Sequence, residues 1–250
     1  MDYQVGIALL LTTIAGLSTT IGSLLGLFIH KPGPRFTGFT LGFSAGVMIL
    51  VSFVELLRKS IESIGFLQAH IAFFLGMSGI FLIDAIVPHD YIGQKDKPEG
   101  SLMRVGLLVA FGISIHNFPE GMATFAGTLE DVRIGIAIAI AIAIHNIPEG
   151  LSVSAPIYVA TGSRKKAFLW SFLSGVSEPV GAAVTALILM PFLNEKVVGI
   201  LLASVAGIMI SLSVDELVPA AKSFGSEHTP ILGVISGMFI MALSLWLIKA

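Results

Sequence analysis

The chain has 250 residues, of which 55% are hydrophobic and 12% charged, and its mean hydropathy is +0.93. Soluble domains carry about 25% charged residues, so half that share excludes a body clothed in water and makes a lipid bilayer the natural solvent. A net charge of −2 gives no basic stripe for nucleic acid, and the lack of cysteine excludes disulfides, thiolate metal sites and a cysteine nucleophile.

Met1-Asp2-Tyr3-Gln4 lacks the positive charge of a cleavable signal, and the apolar run after it is too long for one, so it stays as the first span. Stretches of about 20 mostly apolar residues recur near 5–28, 37–57, 66–87, 102–126, 132–158, 166–191, 196–219 and 229–248. Short polar connections at 31–34, 58–62, 89–100, 129–133, 164–166, 194–196 and 222–228 punctuate them. The pattern predicts an all-α polytopic membrane protein of eight transmembrane helices, a single transmembrane domain over 1–250. The connections after spans 1, 3, 5 and 7 hold nine basic residues (Lys31, Arg35, Lys95, Lys97, Arg104, Arg164, Lys165, Lys166, Lys222) against five on the other side (Arg58, Lys59, Arg133, Lys196, Lys249). The positive-inside rule therefore puts both termini outside.

The chain also repeats itself. Ala45-Gly46-Val47-Met48-Ile49-Leu50-Val51-Ser52-Phe53-Val54-Glu55-Leu56 of span 2 returns in span 7 as Ala206-Gly207-Ile208-Met209-Ile210-Ser211-Leu212-Ser213-Val214-Asp215-Glu216-Leu217, with seven of twelve positions identical at an offset of 161. Gly16 to Gly22 of span 1 echoes Gly175 to Gly181 of span 6, and Ser78-Gly79 with Phe81 of span 3 echoes Ser236-Gly237 with Phe239 of span 8. Each pair lies five spans apart, so the copies cross in opposite directions. The expectation is an inverted repeat of spans 1–3 and 6–8 around spans 4 and 5, a 3+2+3 arrangement found in many secondary transporters.

Spans 4 and 5 hold His116-Asn117-Phe118-Pro119-Glu120-Gly121 and His145-Asn146-Ile147-Pro148-Glu149-Gly150, alike at five of six positions. Both sit near mid-span, so two antiparallel helices bring them to one depth. His and Glu four apart stack on one helix face, with Asn three before Glu near it. The proline removes a backbone donor and displaces the carbonyl four residues back, Ile115 or Ile144, which is tolerated at this depth only where something polar uses the oxygen.

A carboxylate at a helix centre costs on the order of 3 kcal/mol on insertion scales, and the chain places Glu120, Glu149 and Glu178 there with no lysine or arginine at that depth. A bound divalent cation with imidazole, carboxylate and amide ligands would compensate them; protonated, hydrogen-bonded helix contacts are the alternative.

These residues carry a resemblance. The paired HNxPEG motifs, the Glu178-Pro179 of span 6 and the eight-span repeat resemble the Zrt/Irt-like (ZIP) family of divalent metal transporters, most closely its prokaryotic GufA-type and bacterial zinc-uptake branch. The resemblance implies a binuclear site in the transport path, zinc as the transported ion, movement toward the cytoplasm and residence in the plasma or inner membrane. Carried over, it makes His116, Glu120, His145, Glu149 and Glu178 metal ligands, with Asn117 and Asn146 at the second position and Met48 along the path. Many relatives have a long His-rich loop between spans 3 and 4, whereas this chain has a short one with only His89.

On the orientation above, Glu55 stands at the outer end of span 2 and its repeat mate Glu216, beside Asp215, at the inner end of span 7. They read as entrance and exit, with Asp84 joining the exit. Bound metal displaces protons from its ligands, so binding weakens as pH falls. Two other functions stay open. An intramembrane zinc hydrolase needs a glutamate beside its first histidine, as in HExxH, where this chain has Asn117 and Asn146. A proton or sodium carrier using the same carboxylates would not need the histidines. Nitrogen and oxygen ligands also suit Cd²⁺, Fe²⁺, Mn²⁺, Co²⁺ and Ni²⁺, and the expected partners are metal ions and lipid, with a homodimer left open.

Overall fold

The computed structural model describes residues 2–28, 33–86, 98–192, 194–224 and 228–249. Among them the chain forms helices and no strand. Eight helical rods follow one another: α1 (Asp2–Phe28), α2 (Pro34–Ile64), α3 (Phe66–Ile86), α4 (Pro98–Glu130), α5 (Val132–Thr161), α6 (Arg164–Phe192), α7 (Glu195–Phe224) and α8 (Thr229–Lys249). Seven of the helices are long and apolar enough to cross a membrane, and α4, at 33 residues, exceeds the about 20 that a span needs.

Local chemistry sets the breaks. Gly65, at φ +84°, ends α2, and Gly162, at φ +62°, caps α5; both are left-handed conformations that favour a residue without Cβ. Asp131, Ser163 and Asn194 cap the next helices by accepting from the backbone N–H of Arg133 (2.6 Å), Lys166 (3.3 Å) and Val197 (3.0 Å). Residues 58–62, expected as a connection, instead continue α2 to Ile64. At 31 residues this helix is roughly 46 Å long, so its charged last turns pass beyond the hydrocarbon.

Three rods contain a π-helical turn: Ser52–Leu57 in α2, Thr185–Leu189 in α6 and Ser213–Leu217 in α7. Each begins on a hydroxyl residue that returns its hydrogen to the carbonyl four back, Ser52 to Met48 (2.6 Å), Thr185 to Gly181 (2.8 Å) and Ser213 to Met209 (2.7 Å). Each of these carbonyls also accepts the backbone N–H of the same residue, so the hydroxyl adds a second donor to it where the ladder widens.

α4 and α5 pack on each other and against α1 and α6, which also meet each other at Gly16 and Gly175, while α2 packs against α8 and α3 against α7. The main apolar cluster joins α2, α4, α5 and α7 through residues such as Leu41, Met48, Ile113, Ile157 and Met209. Phe66, Phe74, Leu75, Leu187, Phe239 and Trp246 stay exposed, a surface that lipid would cover.

Close backbone approach holds the rods together. A Cβ built on Gly46 would lie 2.1 Å from the Val234 carbonyl oxygen, and one on Gly207 2.0 Å from that of Phe73. The echo of Gly79 with Gly237 is corrected by three residues: Gly76 and Gly237 make the matching contacts, 2.2 Å from the Ser204 oxygen and 2.1 Å from the Phe43 oxygen, whereas Gly79 meets nothing within 4 Å. Gly46→Ala or Gly207→Ala should therefore lower stability by roughly 1–3 kcal/mol, and Gly79→Ala should be neutral, as read from thermal unfolding in detergent.

Candidate metal centre

The two motifs meet where α4 crosses α5. Their pairing runs across the helices: His116 Nε2 donates to Glu149 Oε1 at 3.1 Å, and His145 Nε2 donates to Glu120 Oε1 at 2.9 Å. Within one helix, His and Glu are a turn apart; between helices, each His reaches the Glu of the other motif. The result is two rungs about one turn, or roughly 6 Å, apart in depth. All four side chains are at most 2% exposed.

α6 adds Glu178, itself fully buried. Asn146 Nδ2 donates to Glu178 Oε2 at 2.8 Å and to the Ala15 carbonyl of α1 at 3.0 Å. Asn117 Nδ2 donates to the Ser174 carbonyl of α6 at 3.1 Å. The asparagines thus differ: both clamp the core to a flanking helix, and Asn146 alone also holds a carboxylate. The motif glycines make this approach possible, since a Cβ on Gly121 would stand 2.0 Å from the Glu178 carbonyl oxygen and one on Gly150 1.8 Å from that of Thr19. Pro119 and Pro148 lie inside their helices.

Second polar atoms of six of these residues are buried without a hydrogen-bond partner among the described residues: His116 Nδ1, Asn117 Oδ1, Glu120 Oε2, Asn146 Oδ1, Glu149 Oε2 and Glu178 Oε1. Leaving such a group unsatisfied costs about 1–3 kcal/mol, so this donor set suits a cation that accepts nitrogen and oxygen ligands. Among the described residues no three acidic or imidazole groups already stand as a metal-holding cluster. The N···O separations of 2.9–3.1 Å fall short of the about 3.4 Å edge of a tetrahedron with bonds near 2.1 Å, so an arriving ion has to spread each rung by a few tenths of an ångström.

A cavity of about 920 Å³ leads to this point. Glu55, Arg58, Lys59, Glu62 and Glu195 line it at one end and Glu120 and His145 at the other, with apolar walls from residues such as Ala123, Ile142, Leu202 and Val205. Glu55, expected as the entrance, therefore lines the same cavity as Glu120 and His145. Met48 is fully buried in the apolar cluster beside Leu41 and Met209. Asp215 is exposed and Glu216 half-buried on the π-turn of α7. The backbone of Asp84 is in α3, but its side chain, like the 87–97 connection with His89, lies outside the described residues. Sequence reasoning missed Arg58, Lys59, Glu62 and Glu195 as cavity residues, although the Glu55–Lys59 and Arg58–Glu62 spacings of four were visible.

The family model described as ZIP Zinc transporter matches residues 88–245, more than half of the chain. The chain belongs to the ZIP family. It is 51% identical to the zinc transporter ZupT of Oceanobacillus iheyensis, over 97% of this chain and 98% of that protein. It is 49% identical to ZupT of Nitratidesulfovibrio vulgaris, over 98% of each, and 52% identical to ZupT of Chlorobium phaeovibrioides, over 96% and 97%. Membership of ZIP, together with the apolar helices, makes this a multi-pass membrane protein in a family of transporters rather than enzymes, and the hydrolase reading is not favoured.

The unequal bonding of the asparagines is open to measurement. Asn146→Ala removes two bonds, one to a carboxylate, and should cost about 2–4 kcal/mol, while Asn117→Ala removes one neutral bond and should cost about 1 kcal/mol. Equal losses in a thermal-shift comparison would contradict the assignment.

Proposed function

We propose that this chain carries zinc across the membrane toward the cytoplasm, passing it through the His–Glu ladder between α4 and α5. The observation that carries this reading is the set of buried, unpartnered polar atoms on His116, Asn117, Glu120, Asn146, Glu149 and Glu178, all at one crossing of helices. Its relatives named as zinc transporters support the choice of ion.

The cavity touches Glu120 and His145 but not His116, Glu149 or Glu178. Zinc coming from the Glu55 end therefore meets the Glu120–His145 rung first, takes Nε2 and Oε1 from each other, and releases the proton between them. The His116–Glu149 rung lies one turn deeper, with Glu178 beside it through Asn146. Two rungs and a fifth ligand support a binuclear site. Asp215, Glu216 and Asp84 are assigned to the far end of the path, and Met48 to its wall.

The contacts between helices support an inverted-repeat reading. Exchanging α1 with α6, α2 with α7, α3 with α8 and α4 with α5 turns the α3–α7 contact into α8–α2, and α1–α5 into α6–α4. Asn146 on the Ala15 carbonyl becomes Asn117 on that of Ser174, at the 159-residue offset. This supports the 3+2+3 arrangement, one transmembrane unit from end to end, and alternating access by movement of the flanking repeats against α4 and α5. The basic-residue count supports termini on the outside of the plasma membrane.

Zinc uptake by the purified protein in vesicles should be lost in Glu149→Ala and in His145→Ala, by at least about tenfold, as second-order effects alone reach 10- to 100-fold at metal sites. A proton or sodium carrier would keep its ion flux without the histidine. Competition by cadmium, iron, manganese, cobalt and nickel ranks the ions. The chain has no cysteine, so single replacements report sidedness: Tyr3→Cys and Glu62→Cys should react with an impermeant maleimide on intact cells, and Lys165→Cys only after permeabilisation.

A further inference from the structure

The carboxylate at the cavity mouth already holds a cation. Lys59 Nζ stands 2.8 Å from Glu55 Oε1, one helical turn along α2. This pair is set deeper than its neighbour: the Glu55 and Lys59 side chains are 12% and 33% exposed, against 59% and 49% for Glu62 and Arg58, which meet at 2.9 Å. Arg58 is also tied by Nε to the Val54 carbonyl at 3.2 Å. Glu55 and Lys59 line the same cavity as Glu120 and His145, so an ion moving between mouth and ladder passes a carboxylate that an ammonium already occupies.

The lysine itself is not repeated in the second copy. At the offset of 161, Met48 matches Met209, Ser52 matches Ser213 and Glu55 matches Glu216, but Lys59 matches Ala220 and Arg58 matches Pro219. Ala220 is buried. The carboxylate and its π-turn are kept in both copies, and the lysine in one.

We propose that Lys59 is a tethered, displaceable counter-ion that occupies Glu55 between passages of metal and sets which cations the mouth admits. A sodium or potassium ion carries the same charge as the ammonium and competes against the high local concentration that a four-residue tether provides. A divalent ion has twice the Coulomb attraction to Glu55 and displaces the lysine, which can withdraw along its flexible stem. Lys59 thereby weakens the apparent affinity for zinc while keeping monovalent salt off the path. This rests on the reading of the cavity as the route of the metal.

The test is zinc uptake by intact cells, with KM and maximal rate measured at low and high sodium chloride at constant osmolarity. Lys59→Gln should lower KM by about three- to tenfold at low salt with the maximal rate unchanged, and should make KM rise more steeply with salt than in the wild type, because the bare carboxylate is exposed to screening and competition. Lys59→Arg should restore the wild-type KM. In a Glu55→Gln background the Lys59→Gln change should have no effect. An unmoved KM in Lys59→Gln, or an equal fall with and without Glu55, would overturn the proposal. Glu149→Ala in the same assay separates the two ideas: zinc uptake surviving there defeats the route itself, whereas its loss beside an unmoved Lys59→Gln KM defeats only the role of the lysine.

Discussion

The constraint on which this structure depends is the burial of three carboxylates, Glu120, Glu149 and Glu178, in a helix crossing with no lysine or arginine among its bonded partners. In a soluble protein water would share the cost. Here the rest of the core has to supply the partners, and among the described residues the carboxylates bond two imidazoles and the Asn146 amide. Crossing the pairs, so that each His reaches the other motif, ties α4 to α5 by two charge-assisted bonds. The asparagines extend the tie to α1 and α6, and the glycines one turn on from them allow those helices near enough for the bonds to form. Polarity, helix spacing and backbone contact are one solution to one cost.

Much of this was legible in the residues. Hydropathy located every rod, because a span is a long, strong signal, and the motif duplication implied that the two His–Glu sets face each other. What it did not convey has physical reasons. Residues 58–62 read as a connection because hydropathy treats charge as an exit from the helix, yet Arg58 and Lys59 reach back to Val54 and Glu55 and continue α2 to Ile64. The π-turns at Ser52 and Ser213 depend on a hydroxyl returning to a carbonyl, which serine also does in ordinary helices. The register of α3 against α8 was displaced by three residues because Ser-Gly pairs recur where only one glycine touches backbone. The unequal asparagines were invisible because their sequence contexts are nearly the same and their difference comes from α6.

The π-turns bear on function through position. Two of the three lie at equivalent places of the repeated sequence and carry Glu55 and Glu216. A π-turn adds one residue to a turn and departs from the regular ladder at that point, so α2 and α7 each have an interruption next to the carboxylate proposed for one end of the path. Apolar clusters pack α2 and α7 on both sides of the turns, with Met48 and Met209 before them and Leu57, Ala220 and Ala221 at or beyond them, so the interruptions sit inside packed helices and not at loose ends.

On the inverted-repeat reading, exchanging the conformations of the two copies turns an outward-open protein into an inward-open one. Were the copies identical, the two states would have equal energy and equal affinity, so any difference between the faces has to reside where the copies differ. Two such places lie on the path: Glu178 of α6 corresponds to Thr19 of α1, and Lys59 of α2 to Ala220 of α7. Neither can set the net direction of an uncoupled carrier, because a protein that only changes conformation cannot move the equilibrium of its substrate. What asymmetry can set is the concentration at which each face half-saturates. On the proposal for Lys59, a mouth whose carboxylate holds the lysine half-saturates at a higher concentration than the same mouth without it, and the ladder is unaltered. Tuning the mouth rather than the ligands keeps the buried His–Glu balance intact, since any charge added or removed at that depth would have to be compensated within the same helix crossing.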